Sequence, residues 1–268
     1  MIRTSRPVFI HSDVVRGLIT TKRAGYKIHP RDAPAALLAF CAKRAGSAED
    51  DIILPAFNYD YGSSRLFDVD NDPVQVGALP EWARTKDAFT RSEIPIFSVL
   101  SKKDLGLTRA SQINPFGSSS VFNWLVMNDA TLVLLGVPLA CLTFIHYVEE
   151  MSGGPLYRYT KPFPGTIRKA GEDRVCEMTM HVRPMGLYFN YDWHRLEADL
   201  IRNDILIEDQ EAPGFLTIRA RKLMDYWGNR LSEDPLYLLD PQSRETFALA
   251  TEGGTRRVQL EEYENGGK

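Results

Sequence analysis

"ATLVLLGV", Ala130 to Val137, is the stretch on which the reading of the fold turns. It is an apolar run set between two helical patterns, "SSSVFNWLVMND" (Ser118 to Asp129) before it and Leu142 to Met151 after it. A run of this kind has the character of a strand covered on both faces. The same logic extends toward the N-terminus. "PVFIHSDV" (Pro7 to Val14) reads as a strand running into polar residues, and "RDAPAALLAFCAKRAG" (Arg31 to Gly46) as a helix stopped by its last glycine. "DIILPAF" (Asp51 to Phe57) reads as a strand closed by Pro55. Strand, helix, strand favours parallel pairing through a right-handed crossover. Later, "VCEMTMHVRP" reads as a strand, and "DWHRLEADLIRN" and "FLTIRARKLMDYWGNRL" as helices. Residues 58 to 90, rich in Asp, Gly, Pro and Ser, show no period. The expected architecture is one α/β domain over residues 1–268, a three-layer α/β/α stack around a mixed, mainly parallel sheet. The tail "ENGGK" is expected to fray.

The 268 residues are 44% hydrophobic and 25% charged, the profile of an ordinary soluble globular protein. A net charge of -3 gives no reason to expect nucleic acid, which calls for a basic face, and is too small to advertise a polycationic ligand. Cys41, Cys141 and Cys176 are odd in number and include no Cys-x-x-Cys pair, so neither a zinc ribbon nor a disulfide framework is indicated. Each reads as a buried, inert thiol. The opening "MIRTSRPVFIHSD" has too short an apolar run for a signal peptide. No stretch approaches the ~20 apolar residues of a membrane span, and the cytoplasm is the expected location.

Chemistry is suggested first by "CLTFIHYVEEM" (Cys141 to Met151), where His146 stands three residues before Glu149. Residues so spaced share a helix face, here beyond the carboxyl end of the expected strand, where open α/β sheets bind ligands. A carboxylate on one imidazole nitrogen fixes the tautomer and makes the other nitrogen a better base; the same pair is also a common structural hydrogen bond. His194 and Glu197 repeat the spacing on an amphipathic helix and read as solvated. A zinc hydrolase of the His-x-x-Glu-His type would need His where Glu150 stands, and His-Glu-x-x-His is absent, so no metal is expected. Gly-x-Gly-x-x-Gly, Gly-Lys-Ser/Thr and Gly-x-Ser-x-Gly are absent too, which disfavours dehydrogenases, P-loop enzymes and α/β hydrolases. Phe67 to Ser98 is either a plain long loop or a wall for a polar ligand, with Glu81, Arg84, Arg91 and Ser92 close together. Arg91 and Ser92 have the chemistry to hold a phosphate or amide. "YRYTKPFPGTIRK" (Tyr157 to Lys169) reads as a solvated basic edge or as a surface for an anionic acceptor.

Six short patterns occur in order over residues 7 to 150: His11-Ser12-Asp13; Pro55-Ala56-Phe57; Phe67-Asp68 with Pro73, Gly77, Leu79, Glu81 and Arg84; Arg91-Ser92 with Pro95 and Ser98; Pro115-Phe116-Gly117 with Ser120; and Thr143, His146 and Glu149. Together they resemble the aminoglycoside 3-N-acetyltransferase family. Departures are Asp13 for a Ser, Ile94 for a His, and Asp72 and Val74 where the family has Thr and Ser. The resemblance implies direct acetyl transfer from acetyl-CoA to an amine, with His146 as general base, Glu149 as its orienter, and Thr143 or a nearby backbone N–H on the oxyanion. It implies Ser12, Asp13, Arg91, Ser92 and Ser98 along the donor, and Glu81, Phe57 and Asn58 toward the acceptor. The acceptor is expected to be an amino sugar, either an aminoglycoside, as in antibiotic resistance, or a nucleotide-linked sugar of polysaccharide biosynthesis. A homodimer is compatible with the sequence. A binder that kept the fold and lost the chemistry, and more remotely a metal-dependent hydrolase, are the alternatives.

Overall fold

The computed structural model describes residues 5–107, 109–253 and 255–259; "ENGGK" lies outside them. β1 (Val8–Ser12) leads into α1 (Val14–Arg23) and α2 (Ala33–Arg44), then β2 (Ile52–Pro55). A short helix α3 (Tyr61–Ser64), strand β3 (Leu66–Asp68), helix α4 (Ala78–Arg84) and strands β4 (Thr90–Arg91), β5 (Val99–Ser101) and β6 (Gln112–Ile113) follow. α5 (Val121–Met127), β7 (Thr131–Leu135) and α6 (Phe144–Met151) form the centre. The chain ends with β8 (Tyr159–Lys169), β9 (Glu172–Val182), α7 (Trp193–Arg202), β10 (Leu206–Glu208), β11 (Phe215–Arg219), α8 (Ala220–Glu233) and α9 (Pro241–Ala250).

Seven strands make the main sheet, in the order β10-β11-β7-β1-β2-β5-β4. β7 pairs parallel with β1 over its whole length, Val8 opposite Thr131 through Ser12 opposite Leu135, and every residue of β7 is buried. Alternation along the strands divides the interior in two. Phe9, Ile53, Leu132 and Leu134 face α5, α6 and α8, while Val8, Ile10, Leu54, Val133 and Leu135 face α1, α2 and α4. Each fully buried Leu or Ile of these layers contributes about 1.5–3 kcal/mol, so the apolar run fixes both faces of the stack.

The three-layer arrangement with a mixed sheet is as expected; its mainly parallel character is not. Within the main sheet parallel pairing is confined to β7-β1-β2. β5, β4, β11 and β10 all pair antiparallel. A second sheet, β3-β8-β9-β6, is built on the long β8–β9 hairpin. "FLTIRARKLMDYWGNRL" is strand first and helix second, since Phe215 to Arg219 complete the edge of β7. The segment from 58 to 90 carries α3, β3 and α4 rather than open loop. Helix α1 follows β1 directly, where the sequence reading placed none; Asp13 caps it by accepting from Arg16 N at 2.8 Å. Cys41 and Cys176 are buried, but Cys141 is exposed, on the turn between β7 and α6.

Candidate active site

α6 is held in place by Phe144, Ile145, Tyr147 and Val148, all buried, against α5 and α8. That packing turns His146 and Glu149 to one side of the helix. Glu149 is 3% exposed, and His146 keeps 30% of its side chain open. The imidazole Nδ1 lies 3.0 Å from Glu149 Oε2. After α6, Gly153 and Gly154 take φ of 93° and 78°, a region closed to most side chains, and reverse the chain. The reversal returns Tyr157 and Arg158 over Glu149. Tyr157 Oη donates to Glu149 Oε1 at 2.7 Å, Tyr191 Oη donates to the same oxygen at 2.6 Å, and Arg158 Nε stands 3.4 Å from Oε2. Arg158 Nη2 also donates to Tyr191 Oη at 2.7 Å and its guanidinium covers the Phe189 ring at 4.9 Å. One buried carboxylate thus collects two phenols, a guanidinium and the imidazole.

The charges follow from the contacts. Burial alone would raise Glu149, but Arg158, His146 and Tyr191 outweigh it and hold the carboxyl at about 2. Burial pulls His146 below its ordinary value even though Glu149 opposes, and the charge of Arg158 adds to the lowering. Burial keeps Tyr157 and Tyr191 protonated, hence donors. The imidazole is therefore neutral at neutral pH. With Nδ1–H given to Glu149, Nε2 carries the free lone pair, a tautomer set by the hydrogen bond.

His146 opens on a cavity of about 450 Å³, whose walls include Phe116, Arg158, Tyr191 and Trp193. Phe116 stands edge-on to the imidazole at 5.4 Å. His181, from β9, lines the same cavity and has its own carboxylate, Glu150 Oε2, at 3.2 Å. A larger cavity, about 660 Å³, is lined by Arg91, Ser92, Ile94, Lys103, Arg109 and Lys169 among others. No histidine is among its lining residues. Among the described residues no group of three or more His, Cys, Asp or Glu is placed to hold a metal.

Several residues expected in the site do other work. Arg91 spends its guanidinium inside the protein, on Ser98 Oγ at 3.0 Å, Ala56 O at 2.6 Å and Asp72 O. Ser98 is fully buried and donates to Ala56 O, and Ser92 Oγ accepts from Val99 N. Arg91 and Ser92 do border the larger cavity, but the Arg91–Ser98 pair is a clamp that joins three loop segments. Glu81 is closed into a two-pronged pair with Arg84 and accepts from Val74 N. Phe57 and Asn58 are buried; Phe57 packs on Phe97, and Asn58 bonds Pro73 O and Asp60 N. Asp13 serves as the cap already described. Ser12 Oγ and the adjacent His11 Nε2 are buried without a partner at the carboxyl end of β1. Thr143 sits at the start of α6 with no capping bond from its side chain. His194 is exposed, as read. Tyr157, Tyr191, Arg158 and His181 were not singled out as site residues from sequence; the one hint was Arg158 between two tyrosines.

Comparison with known proteins agrees with this architecture. The profile of the aminoglycoside 3-N-acetyltransferase family matches residues 52–231. Solved structures with the same fold include AAC-IIIb in a binary complex with CoASH, 16% identical, TM-score 0.64, over 85% of this chain and 90% of that one. Apoenzyme AAC(3)-IVa is 19% identical, TM-score 0.60, over 90% and 87%. YokD from Bacillus subtilis is 12% identical, TM-score 0.63, over 86% and 88%. No curated protein sequence matches the chain. With two thirds of its length inside the family profile and the fold shared, the chain belongs to the aminoglycoside 3-N-acetyltransferase family and is an acyl-CoA-dependent N-acetyltransferase.

Proposed function

We propose that this protein acetylates an amino group of an amino sugar by direct transfer from acetyl-CoA, with His146 as the general base. The observation that carries the reading is the neutral imidazole, fixed through Nδ1 by Glu149 and open through its other edge to a cavity. An ammonium has no lone pair, so the acceptor nitrogen must lose a proton. One proton leaves to solvent to give the free amine, and His146 Nε2 takes the next as the nitrogen bonds to the thioester carbonyl carbon. The carbonyl electrons move to oxygen, and Thr143, or a backbone N–H at the start of α6, is the donor available to that oxyanion. The carbonyl re-forms as the C–S bond breaks, and the imidazolium returns its proton to the departing thiolate. Glu149 stays ionised throughout and steadies the imidazolium.

The donor is a substrate whose amides need partners. Ser12 Oγ and His11 Nε2, both buried and unpaired beside the end of β7, have the chemistry to hold them. Asp13, Arg91 and Ser98, whose polar atoms are spent within the protein, do not. Replacing His146 by Asn is expected to lower turnover by about 10²–10⁴, the ordinary worth of a general base. Measured thiol release within twofold of the unaltered enzyme would remove His146 from this role.

A further inference from the structure

The walls of the His146 cavity carry information about the acceptor that the family name does not. No carboxylate is among its lining residues. Glu149 is sealed behind His146 by three hydrogen bonds and its ion pair with Arg158, and Glu150 is spent on His181 and on Asn114 Nδ2 at 2.7 Å. A polycation would find no counter-charge here, and complementary charge is what recruits such a ligand. The cations are arranged differently. Arg158 is paired with Glu149, and both imidazoles have carboxylate partners. Arg183, at the exposed end of the β8–β9 hairpin, lines the cavity and makes no ion pair with a described residue. Phe189, Tyr191 and Trp193 line the same cavity with a run of aromatic surface; the Phe189 and Tyr191 ring centres lie 5.1 Å apart, as do those of Tyr191 and Trp193. A guanidinium and edge-to-face aromatic rings lining one cavity suit an anion joined to a planar group.

We infer that the acceptor is an amine bearing an anionic group and a planar ring, the chemistry of a nucleotide-linked amino sugar, and that Arg183 is the residue that reads the anion. The inference rests on the acetyltransferase reading above and names the acceptor class of that same site. Its test separates the two. Binding of UDP-linked glucosamine, glucosamine and kanamycin is measured by calorimetry on the full chain in the presence of CoA, for the unaltered protein and for Arg183→Ala and Arg183→Glu. Acetyl transfer to each amine is followed in parallel by thiol release. The UDP-linked sugar is expected to bind tightest, with an affinity that falls as salt rises. Arg183→Ala is expected to weaken it about tenfold, the scale of one charge-assisted contact, and by more than it weakens glucosamine. Arg183→Glu is expected to weaken it further and to improve kanamycin. Tighter binding of kanamycin to the unaltered protein, or equal loss for all three amines on Arg183→Ala, overturns the inference while leaving the transferase reading in place. Selective, Arg183-dependent binding of the UDP-linked sugar without acetyl transfer upholds the acceptor class and overturns the transferase reading instead.

Discussion

Replacing Glu149 by Gln keeps the volume of the side chain and removes its charge. Three hydrogen bonds converge on the two carboxylate oxygens, from Tyr157, Tyr191 and His146, and Arg158 adds an ion pair. An amide can accept on one side only, so either the two phenols or the imidazole would face an NH₂ group, and a buried guanidinium would lose its counter-ion. The cost can be reached by two routes. A carboxyl lowered from 4.5 to about 2 favours the folded charged form by about 3 kcal/mol at ~1.4 kcal/mol per unit. Removing one partner of a buried pair costs about 3–5 kcal/mol. For a domain of this size that is roughly 6–20 °C of melting temperature at 2–4 °C per kcal/mol.

The pH dependence fixes the sign. Glu149 is depressed on folding, so its contribution is complete above about pH 4.5 and disappears as pH falls toward about 2. The melting-temperature gap between unaltered protein and Glu149→Gln should therefore be widest near neutrality and close over that acid window. Catalysis should suffer as well. Without its orienter, His146 loses its fixed tautomer and the charge that supports its imidazolium, and turnover should fall about 10²–10⁴. The acid limb of kcat/KM is expected below the ordinary imidazole range in the unaltered enzyme, because burial lowers His146. It should move lower in the variant, because Glu149 raises His146 and Arg158 lowers it. Calorimetric melting and a pH–rate profile check both parts. A melting gap that does not change with pH, or turnover within threefold of the unaltered enzyme, would refute the charge argument.

Arg91→Lys should behave as a stability variant. A point charge cannot serve Ser98, Ala56 and Asp72 together, so a loss of about 2–4 kcal/mol is expected in denaturant titration, with Kd for acetyl-CoA in the surviving folded fraction changed less than threefold. Gly154→Ala should damage both the turn and the site. Its φ is 78°, and a Cβ there would meet Arg257 Nη2 at 2.6 Å and His181 Nε2 at 2.7 Å. A loss of roughly 1–3 kcal/mol with a raised KM for the amine is expected; an unchanged melting temperature would show that the turn relaxes freely.

What was legible in the sequence was local. Ala130 to Val137 revealed the central strand because a strand buried on both faces must be apolar throughout. His146 and Glu149 could be paired because a three-residue spacing on a helix brings side chains together whatever the rest of the chain does. The misread residues depend on partners distant in sequence. Phe215 to Arg219 continue a helical pattern, but the open edge of β7 makes them a strand. Arg91 beside Ser92 looks like a phosphate grip, yet the five donors of arginine serve buried carbonyls equally well. Tyr191 and His181 reach the site from 42 and 31 residues beyond Glu149 and Glu150 respectively, separations over which spacing carries no information. Arg158 was visible only as part of a basic stretch, and its burial depends on a turn made by two glycines.

In the proposed mechanism Arg158 also helps to make the pair workable as a base. A buried carboxylate alone against an imidazole would do two unhelpful things. Burial would push the carboxyl toward its neutral form, and any charge that survived would pull the imidazole toward its protonated form. Arg158 reverses both tendencies. It keeps Glu149 ionised well into acid and subtracts from the attraction that Glu149 exerts on a protonated His146. The two tyrosines occupy the remaining lone pairs of Oε1, so the carboxylate cannot swing from the imidazole. A base must be free before the amine arrives and stable once it has taken the proton. In the proposed mechanism Glu149 supplies the second requirement and burial with Arg158 the first, so the proposed unit is the triad of His146, Glu149 and Arg158.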